Sequence, residues 1–181
     1  MKVTSYAKIR SGRKKHIALA TRSCSRLVLI VATSFFSLPS VSFASVPVIP
    51  KGQSFLCTPT HVWDGDGPIW CQEGPHVRLA GVAAREMDGT CNRNQPCPDA
   101  SAEAARDALV KLVGRPTGVG RHGHIRVVGP TMRCHSDGSA GGNRTAAWCV
   151  SPKSGDINCA IISGGWALRW DHYWNRHRCP G

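Results

Sequence analysis

No two cysteines in this sequence stand at C-x-x-C spacing, and no two histidines at H-x-x-x-H. Both common zinc signatures are therefore missing. No internal repeat or low-complexity block is present, which sets aside solenoids and disordered arrays. Nor is there a membrane span of about 20 apolar residues; residues 27–38 (LVLIVATSFFSL) make a run of only 12, interrupted by Thr and Ser. The first 44 residues contain no acid, yet hold eight Lys and Arg ahead of that run and end in SVSFA. A basic segment, a short apolar stretch and a small-x-Ala end are the marks of a signal peptide. Residues 1–44 are thus expected to be removed after Ala44, leaving 45–181 as one exported domain, periplasmic or secreted. The alternative is a retained N-terminal anchor.

Without that segment the charge argument weakens. The full chain carries 23 Lys and Arg against 11 Asp and Glu; the part after residue 44 keeps 15 and 11, or +4 over 137 residues. Such a mild excess permits an anionic partner without requiring one. A chain of this length suits one domain with its own core, expected to be a monomer.

Nine cysteines become eight once Cys24 leaves, and an even set in an exported chain reads as a disulfide framework. Local geometry selects among the pairings. Cys57 and Cys71 are equidistant from Asp64 and would face each other across a hairpin. Cys134 and Cys149 flank a Gly-rich turn, and Cys91 and Cys97 close the loop CNRNQPC. Cys159 and Cys179 remain, tying a C-terminal tail to a helix.

Residues 54–63 and 68–71 read as strands around VWDGDGPIWC, and HVRLAGV (76–82) alternates as a third. A loop over 83–98 precedes the clearest helix, DASAEAARDALVKLVGRP, which Asp99 or Ser101 can cap and Gly114 with Pro116 would end. HIRVVG, TMRC and RTAAWCV are β-like; GDINCAIISGGWAL reads as a second helix capped by Asp156. Three strands, a helix, two or three strands and a helix suggest a mainly β fold with two to three helices. A five-stranded OB-fold Greek-key barrel fits this order and leaves no open edge.

Five polar residues of this layout can carry chemistry. Asp64-Gly65 is a hairpin signal by itself, so Asp66 is surplus to the turn. Asp64 and Asp66 can share a hard cation through oxygen ligands. Arg78 lies in the third strand and Arg144 opens a later one; two arginines can clamp a phosphate and take up charge in its transition state. Glu86, just after the third strand, can act as general base. Taken singly, each has a plainer role as a turn residue or a solvated side chain. Of the remaining features, RHGHIR reads as a polar loop. The tail RWDHYWNRHR reads as helix-end packing of Trp170 and Trp174, with single-strand binding the alternative.

DGDG, then VRLAGVAARE, a helix, GGNRTAAWC and GDINCAIISGGWALR together resemble the staphylococcal-nuclease (thermonuclease) family, over residues 56 to about 169. The resemblance implies an OB-fold and calcium-dependent endonuclease activity on DNA and RNA. It implies Asp66, supported by Asp64, as metal ligand, Arg78 and Arg144 as phosphate ligands, and Glu86 as general base. The sequence departs from the family at Ala83, where the family has a second metal-binding aspartate three residues before the glutamate, and at Arg85, where it has proline. Asp88 could substitute as a ligand, or Arg85 could replace some cation charge. The expected cofactor is a divalent cation, Ca²⁺ over Mg²⁺ or none. The alternative function is a catalytically silent nucleic-acid-binding module that has lost the metal.

Overall fold

A computed structural model describes residues 45–180. The signal segment expected over 1–44 lies outside the described residues. The chain runs β1 (Ser54–Cys57), β2 (Pro59–Val62), β3 (Ile69–Cys71), β4 (His76–Leu79), β5 (Val82–Ala83), α1 (Ala102–Val113), β6 (Arg115–Val119), β7 (Ile125–Val128), β8 (Met132–Ser139), β9 (Arg144–Ser151), β10 (Gly155–Asp156), α2 (Ile157–Ser163) and β11 (Leu168–Arg169). The expected first strand is broken at Thr58 into β1 and β2, and the third at Ala80–Gly81 into β4 and β5. Strand β6, which contains Pro116 and Gly118, had no sequence signal.

One mixed sheet takes nine of the strands, in the order β1-β8-β9-β4-β3-β2-β7-β6 with β10 on β9; β5 and β11 make a separate ladder. Among the described residues only β4 and β9 pair in parallel. The hydrogen-bonded path has β1 and β6 at its ends, and among the described residues no ladder joins those two ends into a barrel. The expectation is met at the level of a mainly β fold with two helices.

Period-two alternation sends Val62, Ile69, Val77, Leu79, Ala147 and Cys149 to the inside, where α1 presents Ala105, Leu109 and Val113 and α2 presents Ile157 and Ile161. Each fully buried Leu, Ile or Val side chain is worth about 1.5–3 kcal/mol. Ser101, rather than Asp99, caps α1: its Oγ accepts the Ala104 N–H at 3.2 Å. Asp156 caps α2, accepting the Cys159 N–H at 2.9 Å.

The four bridges are Cys57–Cys71, Cys91–Cys97, Cys134–Cys149 and Cys159–Cys179, the pairs expected from spacing. Cys134 and Cys149 stand directly opposite in the β8–β9 ladder, with Cα atoms 4.1 Å apart. Such a set fits an oxidising compartment. Among the described residues no helix is long and apolar enough to cross a membrane.

A buried amide joins the parts. Asn158, fully buried on α2, accepts the Cys149 N–H at 3.1 Å and donates to the carbonyls of Ala80 at 2.9 Å and Ala147 at 3.1 Å. Ala147 keeps a second donor, the Ala80 N–H, so Asn158→Leu would strand two backbone groups. At about 1–3 kcal/mol each, the variant should lose about 3 kcal/mol in urea unfolding. A loss below 1 kcal/mol would mean that water reaches those groups.

Candidate functional site

The parallel pairing of β4 with β9 fixes the two arginines. Arg144 sits opposite His76 and Arg78 opposite Ala146, so both point to the face away from Val77 and Thr145. One strand spacing of about 4.8 Å and two residues of about 3.3 Å rise place their Cα atoms about 8 Å apart. Two long guanidinium side chains can meet on one phosphate from that distance. Arg78, Arg144 and Glu86 all line one cavity of about 370 Å³, with Asn92, Trp170 and Tyr173 completing its wall.

The two arginines differ in their surroundings. Arg78 donates from Nη1 to Asp66 Oδ1. Arg144 donates only to carbonyls, to Gly141 at 3.2 Å and Ala140 at 3.3 Å, and has no ion-pair partner among the described residues. It lines the cavity together with the carboxylates Glu86 and Asp137. Asn143, at a positive φ of 60°, makes the turn that starts β9 at Arg144.

Glu86 is held by a short turn, its N–H donating to Thr90 O at 2.9 Å while its carbonyl accepts the Gly89 N–H at 2.8 Å. Its Oε1 accepts from Asn92 Nδ2. Asn92 in turn lies inside the loop closed by Cys91–Cys97. That small bridge therefore positions a carboxylate.

Arg85 and Asp88 have other work. Arg85 donates to the carbonyls of Pro98 at 2.8 Å and Gly89 at 3.0 Å, stapling the loop, and does not line the cavity. Asp88 is exposed, its Oδ1 accepting from the N–H and hydroxyl of Thr90 at 2.9 and 2.7 Å, which lowers its pKa. The geometry gives neither a place in the candidate metal or charge site.

Asp64 and Asp66 are buried, 4% and 1% exposed, and Asp66 reaches the cavity only through its ion pair with Arg78. Asp66 Oδ2 accepts the Ala84 N–H at 2.9 Å, and Asp64 Oδ1 accepts the Asp66 N–H at 3.1 Å. Burial and then the Asp66 charge push the Asp64 carboxyl up to about 8; the charge of Glu86 adds to this, against the Asp66 N–H and Arg78. Burial raises Asp66 too, but Arg78 and the Ala84 N–H oppose it. The pair titrates as a unit. Near neutral pH burial favours a proton on Asp64, while the Arg78 guanidinium opposes protonation of Asp66.

The same contacts test the expected hard cation. Both Asp66 oxygens already accept hydrogen bonds, Ala83 is fully buried and offers no oxygen, and the Ala84 carbonyl accepts from Gln95 Nε2. A bound Ca²⁺ or Mg²⁺ completes its shell with water, but Asp66 has both oxygens engaged and neither aspartate lines the cavity, so these residues do not form a preformed cation site. Gly65 also has a different reason from closeness to a cation. A Cβ there would lie 2.4 Å from Ala105 Cβ and 2.8 Å from Ala84 Cβ, so the glycine lets the turn touch α1. The positive φ of the turn, 113°, belongs to Gly67.

One feature escaped sequence reading. His76 stacks on Trp70 (4.8 Å, 6° between planes), and His124 packs on Trp70 and Trp63 at 4.4 and 4.7 Å, with His61 beside Trp70 at 5.0 Å. The alternation of these rings with buried Val62, Ile69 and Val77 was the available signal. RHGHIR thus supplies part of an aromatic patch adjoining Arg144. The tail divides its tryptophans: Trp174 packs on Trp148 and over Gly81, whereas Trp170 enters the cavity wall. A third group, Asp156, Cys159 and His177, brings donor atoms within 4.8 Å of one another. With Cys159 bridged to Cys179, it has no thiolate to offer a metal. Comparison of the chain with protein-family models, with curated proteins and with solved structures finds no match.

Proposed function

We propose that this protein is a nuclease-like hydrolase of nucleic-acid phosphodiesters, of the kind the staphylococcal-nuclease resemblance implies. The observation that carries the reading is one cavity lined by Arg78, Arg144 and Glu86. These are the two phosphate clamps and the base that phosphodiester hydrolysis requires. The strand order supports it as well. If β1 and β2 act as one strand bent at Thr58, the sequence β1/β2-β3-β4-β9-β8 returns to its start as a five-stranded OB-type Greek key.

In this reading the two guanidiniums grip the non-bridging oxygens of one phosphate from adjacent strands. Glu86, oriented by Asn92, takes a proton from the attacking water, the arginines absorb charge as the phosphorus becomes five-coordinate, and the ester P–O bond then breaks with the leaving oxygen taking up a proton from solvent. Trp170, Tyr173 and the Trp70–His76 stack offer π-faces for the neighbouring bases, each such stack being worth about 1–3 kcal/mol. No step is routed through a cation.

The engaged oxygens of Asp66 and the missing donor at Ala83 favour one competing reading, a module that binds nucleic acid without cleaving it. Incubating the mature protein with single-stranded DNA, RNA and plasmid, in EDTA and in Ca²⁺ or Mg²⁺, separates the two. Cleavage that Glu86→Gln lowers by about 10²–10⁴-fold, with binding retained, is the expected result. Binding without cleavage under every condition would establish the module instead, and no binding at all would remove nucleic acid from the account.

A further inference from the structure

Where the tail meets α2, three candidate ligands come together and a fourth is bonded to one of them. Asp156 Oδ2 and His177 Nε2 are 2.6 Å apart, and Cys159 Sγ lies within 4.8 Å of both. The fourth is Cys179 Sγ, bonded to Cys159. We propose that when a dithiol reduces the Cys159–Cys179 bridge, this cluster becomes a tetrahedral Zn²⁺ site made of two thiolates, one imidazole and one carboxylate.

The donor set is of the type zinc selects, borderline nitrogen and soft sulfur with one oxygen. Thiolates bound to one tetrahedral zinc at 2.3 Å stand about 3.8 Å apart. Side-chain rotation reaches that separation from Cα atoms 5.6 Å apart. Two of the ligands are held in place whatever the state of the sulfurs. The His177 ring stacks on Trp148 at 4.1 Å, and its backbone is tied to Trp174, its N–H donating to Trp174 O at 3.0 Å and its carbonyl accepting Trp174 Nε1–H at 2.7 Å. Asp156 uses Oδ1 to cap α2, which leaves Oδ2 directed at His177. Zinc would enter between those two atoms, replacing one short contact with two bonds.

The chemistry balances in two steps. The dithiol gives two electrons and two protons to the S–S bond, leaving Cys159 and Cys179 as thiols and the reductant as its own disulfide. Zn²⁺ then displaces both thiol protons, while neutral His177 contributes a lone pair and Asp156 a carboxylate oxygen. The disulfide and the metal are alternative clasps on one tail. Residues Trp170 and Tyr173 of that tail wall the cavity, and Trp170 is tied to the core by its own N–H donating to Gly81 O at 2.8 Å, so the exchange of clasps is confined to the tail beyond His177. This proposal stands whether or not the cavity cleaves phosphodiesters.

The experiment uses the mature protein reduced with a dithiol under native conditions, freed of reductant by anaerobic gel filtration and titrated with Zn²⁺ against a chromophoric chelator. Cys57–Cys71 and Cys134–Cys149 are buried and should stay oxidised. One zinc per chain in the reduced form and none in the oxidised form is expected, with thiolate-to-metal charge-transfer absorption on cobalt substitution. His177→Ala and Asp156→Asn should each weaken binding at least tenfold; asparagine still caps the helix, so that loss reports the ligand rather than the fold. Cys91→Ser with Cys97→Ser should leave zinc stoichiometry and affinity unchanged. Equal zinc uptake by the oxidised protein, affinity unmoved by both ligand variants, or loss of the zinc in the Cys91/Cys97 variant would each overturn the assignment.

Discussion

Arg144→Ala should lower phosphodiester turnover by about 10²–10³-fold, the usual cost of removing one charge-stabilising donor, and leave the urea midpoint where it was. The two halves of that result come from the same geometry. Arg144 donates only to carbonyl oxygens, so its removal strands no ion-pair partner, and it lines the cavity. The salt dependence of nucleic-acid binding should flatten by about one counterion. Arg78→Ala should behave differently although it lines the same cavity. Its partner Asp66 is 1% exposed, and breaking a buried ion pair from one side costs about 3–5 kcal/mol. Its activity loss would therefore come with a large stability loss, which Asp66→Asn in the same chain should largely restore. If Arg144→Ala cleaves at the parent rate, the cavity is not where phosphate binds. Should Arg78→Ala unfold no more easily than Arg144→Ala, the Asp66 ion pair is not the support it is taken to be.

That asymmetry also marks what sequence could and could not show. Arg78 and Arg144 are 66 positions apart, but Val77 and Leu79 around one and Thr145 and Ala147 around the other put both on the outer face of their strands, a fact alternation alone reveals. Parallel pairing of β4 and β9 then makes them neighbours, and nothing local in either strand announces a parallel partner. Helices α1 and α2 were legible because capping residues and 3.6-residue periodicity act within a few positions. The disulfides were legible for a similar reason, since hairpin symmetry is a local property. Arg85 was not. Its sequence neighbour Glu86 enters the cavity, while its guanidinium runs the other way to carbonyls of a loop whose path depends on Cys91–Cys97. Asp64 and Asp66 were recognised as surplus acid at a turn. Their burial depends on α1 lying against Gly65, a contact 40 residues distant in sequence.

The burial of that acid pair leads to the second large effect, on stability against pH. The folded protein raises the Asp64 pKa from 3.8 to about 8, so the native state holds a proton that the unfolded chain releases near pH 4. Stability from this group is therefore complete below about pH 4 and declines as pH rises, until the folded carboxyl itself ionises near pH 8. At one pH unit per 1.36 kcal/mol, the loss across that window amounts to several kcal/mol. Asp64→Asn replaces the protonated carboxyl by a neutral group of the same shape and removes the titration. The variant should match the parent near pH 4 and exceed it by several kcal/mol at pH 8, with urea midpoints that fall less steeply than those of the parent, the remaining slope being that of Asp66. A divalent cation taken up by the Asp64–Asp66 pair would replace the proton, so added Ca²⁺ should then stabilise the parent at pH 8 and leave Asp64→Asn unmoved. The packed oxygens of Asp66 lead to the opposite expectation, no calcium effect on either protein. Parallel stability curves for parent and variant from pH 4 to 8 would show that Asp64 is solvated and ionised throughout, and that the proton assigned to it is absent.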